Sequence, residues 1–254
     1  MITEAIILAG GFGTRLQSVV SDLPKPMAPV NGIPFLDYQL LYLKYFGIKK
    51  VIFSVGHLHE KISSHYKSNF NGIEIDYTIE KTPLGTGGGI RLAVEKCKSN
   101  TVLVLNGDSF FDVDLTSFIH LHTKANADCS LALRKVENAS RYGTVHFSSI
   151  APCFDTLAKT DEAPIEMSKI NSFQEKNSET KPGIINGGIY LLNKDIFFKK
   201  TESNKSFSIE KDFFENKINE LNIYGFEYKG YFIDIGIPED YTKAQHDFKG
   251  FKYR

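Results

Sequence analysis

The sequence predicts an α/β fold, a mainly parallel sheet with helices on both faces. Three observations predict it. Short continuous apolar runs, the pattern of strands covered on both sides, recur at 5–9, 51–55 and 102–105. Segments of helical period stand between and after them, at 34–46, 86–97 and 115–122. Alternation of this β-α-β-α kind calls for a parallel sheet whose crossovers are helices.

The elements follow in order. Ala5-Ile6-Ile7-Leu8-Ala9 is an apolar strand that runs into the glycine turn Gly10-Gly11. Residues 34–46 set Leu36, Leu40 and Leu43 on one helical face, with Gly47 as the stop. A buried strand at 51–55 comes next. Ile73, Ile75, Tyr77 and Ile79 then alternate with Glu74, Asp76 and Thr78, which predicts a half-exposed strand. The 86–97 helix carries Ile90, Ala93, Val94 and Cys97, with Thr86 as its candidate N-cap. A third buried strand at 102–105 and a helix at 115–122 close the first half. Beyond residue 125, strand-like pieces crowd together at 129–135, 143–147, 169–175, 188–193, 223–228 and 231–235. One helix carrying Phe214, Ile218 and Leu221 interrupts them. A last helix starts with Pro238, Glu239 and Asp240, residue types that suit a helix N-terminus. No repeat or linker divides the chain, so one domain over 1–254 is expected, in two functional halves at 1–125 and 126–254. The stretch 148–168 has no clean period and few apolar anchors, and reads as an irregular, mobile surface insertion.

The 254 residues carry 30 basic and 30 acidic side chains, a formal net charge of zero. Nucleic acid and anionic membranes both need a basic excess, so neither is expected as the main partner. Hydrophobic residues at 42% and charged residues at 24% suit a soluble globular protein and exclude wholesale disorder. No apolar run approaches the roughly 18–20 residues that span a bilayer, and the N-terminus has neither the basic start nor the length of a signal peptide. Cys97, Cys129 and Cys153 are scattered and odd in number, which predicts free thiols in a reducing cytoplasm. The aromatic content of 13% permits a homodimer interface without locating one.

The chemistry is concentrated in a few motifs. The first is Leu8-Ala9-Gly10-Gly11-Phe12-Gly13-Thr14-Arg15-Leu16, followed by Pro24-Lys25-Pro26-Met27. A strand, a glycine turn and two cations make a phosphate cradle. Glycines let backbone N–H groups approach anionic oxygens, and Arg15 and Lys25 neutralise them. Prolines on both sides fix the backbone of Lys25, which an incidental lysine would not need. A dinucleotide fingerprint fails because Leu16 stands where its third glycine belongs, and a Walker A loop fails because no Gly-Lys-Ser/Thr occurs. Asp108 and Asp234 each read alone as turn or capping carboxylates. Asp234, however, interrupts the apolar run Tyr231-Phe232-Ile233-Asp234-Ile235, where a carboxylate needs a partner such as a metal. Glu175-Lys176 alone reads as an exposed ion pair. The seven histidines show no metal spacing, and no Ser-His or Cys-His pair stands out as a nucleophile.

These segments resemble, over most of the chain, the sugar-1-phosphate nucleotidyltransferases, whose signature is a glycine-rich turn ending in Gly-Thr-Arg-Leu and followed by Pro-Lys-Pro. Glu80-Lys81-Thr82-Pro83-Leu84-Gly85-Thr86-Gly87-Gly88 is similar to that family's base-reading loop, and Asn106-Gly107-Asp108 to the motif of its metal-binding aspartate. Tyr142-Gly143, Glu175-Lys176 and Asn186-Gly187-Gly188-Ile189-Tyr190 resemble its sugar-binding segments. Phe232-Ile233-Asp234-Ile235-Gly236-Ile237-Pro238 resembles the closing strand with the second metal ligand. The resemblance implies a Rossmann-like mixed, mainly parallel sheet flanked by helices, the nucleotide-diphospho-sugar transferase fold, with a smaller sugar-binding half. It also implies the reaction of an NTP with a sugar 1-phosphate, giving an NDP-sugar and pyrophosphate, with Mg²⁺ held by Asp108 and Asp234. Arg15, Lys25 and Asp108 are then the expected catalytic residues. Nucleotide binding falls on Leu8, Ala9, Gly10, Gly11, Gly13, Thr14, Arg15, Lys25, Glu80, Pro83, Gly85, Thr86, Asn106 and Gly107. Sugar-phosphate binding falls on Tyr142, Gly143, Glu175, Lys176, Asn186 and Gly187.

Within the family, the segment from Pro83 to Gly88, the short chain and the closing Ile-Asp-Ile-Gly-Ile-Pro are most similar to bacterial D-glycero-α-D-manno-heptose 1-phosphate guanylyltransferases. That implies GTP, a manno-configured heptose 1-phosphate and a place in surface polysaccharide synthesis. Glu80 favours guanine, since a carboxylate offers two acceptors to the N1–H and N2–H₂ donors. Mannose 1-phosphate, or a uridylyl or thymidylyl specificity, stays open, as does a non-catalytic regulatory subunit that binds sugar nucleotides. The presence of Arg15, Lys25, Asp108 and Asp234 together favours the enzyme.

Overall fold

The computed structural model describes residues 2–11, 13, 16, 19–20, 22–147, 151–152, 157–162, 164, 166–174 and 181–253. Strand β1 (Glu4–Ala9) leads to a 3-10 turn at Lys25–Met27, the short pair β2 (Pro29–Val30) and β3 (Ile33–Pro34), and helix α1 (Phe35–Tyr45). Then come β4 (Lys50–Val55), α2 (His59–Tyr66), β5 (Asn69–Phe70), β6 (Ile73–Ile79) and α3 (Gly85–Val94). β7 (Thr101–Asn106), β8 (Ser109–Phe111) and α4 (Leu115–Lys124) complete the first half. The second half holds β9 (Cys129–Val136), β10 (Thr144–Phe147), β11 (Ala151–Pro152), β12 (Glu166–Gln174), β13 (Gly183–Asn193) and α5 (Lys194–Lys200). A π-helical segment, Ile209–Glu215, precedes β14 (Ile223–Glu227), β15 (Phe232–Asp234) and α6 (Pro238–Asp247).

One mixed sheet runs through both halves in the order β10-β12-β14-β9-β13-β7-β1-β4-β6-β5, with β11 beside β12. The long strands of the first half, β6, β4, β1 and β7, are parallel. β13 enters antiparallel between β7 and β9, and so splices the two halves together. Alternate residues of each central strand feed different cores. Ala5, Ile7 and Ala9 pack with α1 and the aromatic cluster around Phe248, whereas Ile6 packs with Ile90, Phe213 and Phe214. Apolar demand on both faces is why these strands read as continuous runs rather than alternations. α1 ends as expected, with Gly47 at φ 84° and a bond from Ile48 N–H to Leu43 O at 3.0 Å.

Several local expectations change. α3 begins one residue before Thr86, and the Thr86 hydroxyl oxygen accepts from the N–H of Ile209 at 2.9 Å instead of capping the helix. The helix predicted through Phe214, Ile218 and Leu221 has its π-helical part at Ile209–Glu215, before the last two of those residues. α2 and α5 were hidden because they bury little: Ile62 and Tyr66 in one, Phe197 in the other. Within 148–168, where composition offers few apolar anchors, the described residues Lys159 and Thr160 are held by a carboxylate. The fully buried Asp114 accepts from the N–H groups of Lys159 and Thr160 at 2.7 Å each, and β12 begins inside the stretch at Glu166. A buried carboxylate collecting backbone donors does the work that apolar side chains do elsewhere. Cys97 and Cys129 are buried free thiols, and burial pushes the Cys97 thiol up to about 12; Cys153 lies outside the described residues. Among the described residues no helix is long and apolar enough to cross a membrane.

Candidate active site

The site forms at the C-terminal ends of β1 and β7, where open α/β sheets present their ligands. Leu8 and Asn106 are register partners there, and Gly107 N–H donates to Leu8 O at 2.9 Å. The chain turns at Asp108 into β8, whose antiparallel partner is β15. Ser109 pairs with Asp234, and Ile235 N–H donates to Asp108 O at 3.0 Å. This two-strand ladder sets the carboxylates of Asp108 and Asp234 side by side. Lys25 reaches them from the 3-10 turn that Pro24 opens and Pro26 stiffens, in which Met27 N–H donates to Pro24 O at 2.7 Å. Its ammonium donates to Asp108 Oδ2 at 2.5 Å and to Asp234 Oδ1 at 3.3 Å.

Lys25 is buried, so its charge depends on those two carboxylates. Asp234 Oδ1 also accepts from Gly236 N–H at 2.8 Å. A side chain at 236 would displace the pair, since an added Cβ would stand 2.7 Å from Asp234 Oδ1 and 2.9 Å from Lys25 Nζ. Two hard oxygen donors around one cation are a donor set for Mg²⁺, which takes one or two protein carboxylates and completes its shell with water and phosphate. Among the described residues no group of three or more His, Cys, Asp or Glu side chains is placed to hold a metal.

Two cavities adjoin this cluster. The first, about 430 Å³, is walled by Leu8, Ala9, Gly10, Gly11, Gly13 and Lys25 on one side and by Glu80, Pro83, Gly85, Thr86 and Asn106 on the other. These are residues the sequence nominated for the nucleotide. Gly107 belongs to the same turn through its bond to Leu8, while Thr14 and Arg15 lie outside the described residues. Glu80 is half-buried against Gly10, and burial pushes its carboxyl above the usual carboxylate range. Its Oε2 accepts from Leu84 N–H at 2.9 Å, so one of the two acceptors offered to a base holds the loop. The loop is fixed from the other side as well, because Gly87 N–H donates to Phe207 O and Phe207 N–H to Leu84 O, each at 2.9 Å.

The second cavity, about 600 Å³, shares Thr86, Asn106, Asp108 and Glu210 with the first. Tyr142, Gly143, Asn186 and Gly187, nominated for the sugar phosphate, line it together with Asp234. Glu175 and Lys176 lie outside the described residues. The Asn186 side chain is oriented at both ends: its oxygen accepts from Gly188 N–H at 3.0 Å, and its amide donates to Glu210 Oε1 at 2.9 Å and to Tyr190 at 2.7 Å. Sequence reasoning missed Arg141 and Glu210. Arg141 adjoins a nominated pair and was within reach of attention. Glu210 carried no signal, because its position depends on the π-helical segment, a distortion that often accompanies functional sites.

The family profile described as Nucleotidyl transferase matches residues 4–249. The chain belongs to that nucleotidyl transferase family. It is 44% identical over 248 residues to the D-glycero-alpha-D-manno-heptose 1-phosphate guanylyltransferase of Aneurinibacillus thermoaerophilus, covering 98% of this chain and 99% of that protein. Its identity to the enzyme of the same name from Campylobacter jejuni is also 44%, over 94% of this chain and 96% of that one. The crystal structure of HddC from Yersinia pseudotuberculosis complexed with GMP-PN is similar with a TM-score of 0.78 and 35% identity, covering 97% of this chain and 100% of that chain. The expected family, fold class and transferase chemistry therefore hold for this nucleotidyl transferase.

Proposed function

We propose that this chain transfers a guanylyl group from GTP to D-glycero-α-D-manno-heptose 1-phosphate, giving GDP-heptose and pyrophosphate. The observation that carries the reading is 44% identity, over nearly the full length of both chains, to two heptose 1-phosphate guanylyltransferases. Identity to the mannose-1-phosphate guanylyltransferase of Mycobacterium tuberculosis is 30%, and this chain spans 64% of that protein. Two adjoining cavities that share Asp108 suit two substrates held at once.

An oxygen of the sugar phosphate attacks the α-phosphorus in line, and the bond to the β-phosphate breaks as pyrophosphate leaves. The enzyme needs no nucleophile, so its task is positioning and charge neutralisation. The glycine turn from Leu8 to Gly13 lets the phosphates approach the backbone, and Lys25 offsets charge on the transferring group. Arg15 offsets charge on the leaving pyrophosphate. Asp108 and Asp234 would hold Mg²⁺, which would supply positive charge against the phosphates of the two substrates. Tyr142, Gly143, Asn186 and Gly187 seat the sugar, with Glu175 and Lys176. The buried thiols of Cys97 and Cys129 suit a reducing cytoplasm.

The test is a matrix of nucleoside triphosphates against sugar 1-phosphates, read by pyrophosphate release. GTP with the heptose 1-phosphate is expected to be the best pair. Mannose 1-phosphate should be poorer, because a site built for the longer sugar leaves polar groups unpaired with the shorter one. Preference for UTP or dTTP would remove guanine from the reading. Nucleotide binding without pyrophosphate release from any pair would point to a regulatory subunit.

A further inference from the structure

Arg141 stands in the turn between β9 and β10, directly before Tyr142-Gly143, and faces the second cavity. Its Nη1 donates to Asp240 Oδ2 at 2.6 Å, and Asp240 lies in the first turn of α6. Its guanidinium carbon is 5.5 Å from the centroid of the Tyr142 ring. Nη2 lies 4.0 Å from Asp234 Oδ2, too far for a hydrogen bond. Nε and Nη2 are both shielded from solvent, and neither finds a hydrogen-bond acceptor among the described residues.

A purely structural ion pair does not account for this arrangement. Asp240 needs only Nη1, while Nε and Nη2 are shielded from water with no hydrogen-bond acceptor among the described residues and only a 4.0 Å ion pair to Asp234, which opposes folding. A guanidinium with one edge tethered and the other bare is oriented for a second, planar acceptor. Its parallel N–H groups match two oxygens of a phosphate or carboxylate. Position selects between those anions. Arg141 lines the cavity of Tyr142, Gly143 and Asn186 together with Asp234, and is not among the residues lining the cavity of the glycine turn. A sugar 1-phosphate bound in that cavity must bring its phosphate toward the Asp108–Asp234 pair in order to react. Three carboxylates, Asp108, Asp234 and Asp240, would otherwise repel it, and Lys25 is the other described cation paired to this cluster.

We infer that Arg141 binds the phosphate of the incoming sugar 1-phosphate through its Nε–Nη2 edge, with Asp240 as the tether that aims it. The inference rests on the nucleotidyl-transfer reading above and adds a residue to its sugar side. Tyr142 and Gly143 then seat the sugar within one residue of the group that holds its phosphate. Asp240 does not touch substrate and acts by fixing the guanidinium.

Arg141→Gln, Arg141→Lys and Asp240→Asn test it in the full chain with Mg²⁺. Arg141→Gln is expected to raise KM for the sugar 1-phosphate about 30-fold, with KM for GTP within about twofold of the starting protein. Arg141→Lys should fall between, keeping charge but losing the fork. Asp240→Asn should give a smaller effect of the same kind. A second arm measures equilibrium binding by calorimetry, with GDP-mannose and GMP as probes. The β-phosphate of GDP-mannose is the one a sugar 1-phosphate supplies, so Arg141→Gln should weaken GDP-mannose about tenfold and leave GMP unchanged. Equal loss for both probes, with a lowered unfolding midpoint, would make Arg141 a structural residue and overturn the inference. Unchanged affinity for both would overturn it too. A starting protein that binds both probes but releases no pyrophosphate would sink the transfer reading while the binding arm still decides on Arg141.

Discussion

Lys25 and Asp108 are joined by a 2.5 Å bond between the lysine Nζ and Oδ2 of the aspartate, and the same nitrogen reaches Asp234 at 3.3 Å. Two carboxylates side by side repel each other where no cation stands between them. Here a buried ammonium between them offsets one of their two charges.

Asp108→Asn and Asp234→Asn are therefore expected to destabilise the metal-free protein, each by about 1–2 kcal/mol, below the cost of breaking a fully buried pair because Asp108 keeps solvent contact. Both should also remove most turnover. Chemical denaturation with and without Mg²⁺ checks the first expectation. A gain in metal-free stability in either variant would restore the repulsion picture.

Gly11→Val separates binding from folding. Gly11 is exposed, and an added Cβ there meets nothing within 4 Å, so the unfolding midpoint should hold. The branched side chain would fill space the phosphates need, and GTP affinity should fall about tenfold or more. Calorimetric titration reads this; unchanged affinity would mean that the turn faces away from the nucleotide.

Asp114→Ala addresses the insertion. The carboxylate caps α4 by accepting from Ser117 N–H at 2.8 Å and holds Lys159 and Thr160 with its other oxygen. Loss of a cap and of buried backbone bonds together should cost about 3 kcal/mol. Hydrogen exchange is the sharper readout. The amides of Lys159 and Thr160 should be protected in the starting protein and open in the variant, and fast exchange in both would show that the anchor is not closed in solution.

His122 gives a pH signature. It is buried with Nδ1 2.7 Å from Ser130 Oγ, and burial pulls its pKa down to about 4 from the usual 6.5. Between those values the unfolded chain binds a proton that the folded chain refuses. Stability is therefore full above pH 6.5 and declines as pH falls toward 4, by about 2 kcal/mol between pH 7.5 and pH 5. Urea denaturation at the two pH values measures it. His122→Gln should flatten that difference; an equal slope in the variant would assign the acid sensitivity to other groups.

How much was legible follows the distance over which each signal acts. The glycine turn, the Pro-Lys-Pro segment and Asn106-Gly107-Asp108 are local patterns at strand ends, and the structure gathers their described members around one cavity. Asp234 was legible because a carboxylate in an apolar run is conspicuous. The Asp234–Ser109 pairing was not, since it joins strands far apart in the chain through a ladder of three residues. Thr86 misled for the same reason: its hydroxyl has a suitable local use at a helix start, and a distant backbone N–H at Ile209 outcompetes it. Glu210 depends on side chains meeting across the fold, which no spacing rule reports, whereas Arg141 adjoins the nominated Tyr142 in sequence.

The β8–β15 ladder also orders events in time. Lys25 meets Asp108 across 83 positions of sequence and Asp234 across 209. On the ribosome the glycine turn, the lysine and then the first aspartate emerge while the second aspartate is still to be made. The hollow beside the glycine turn also takes Glu210 and Gly236 into its wall, so a nascent chain completes it only as the second carboxylate arrives. Polypeptides released early, short of β15, would retain the recognition motifs of the first half and lack the partner that Asp108 requires, which leaves them as inert by-products of translation rather than half-competent enzymes.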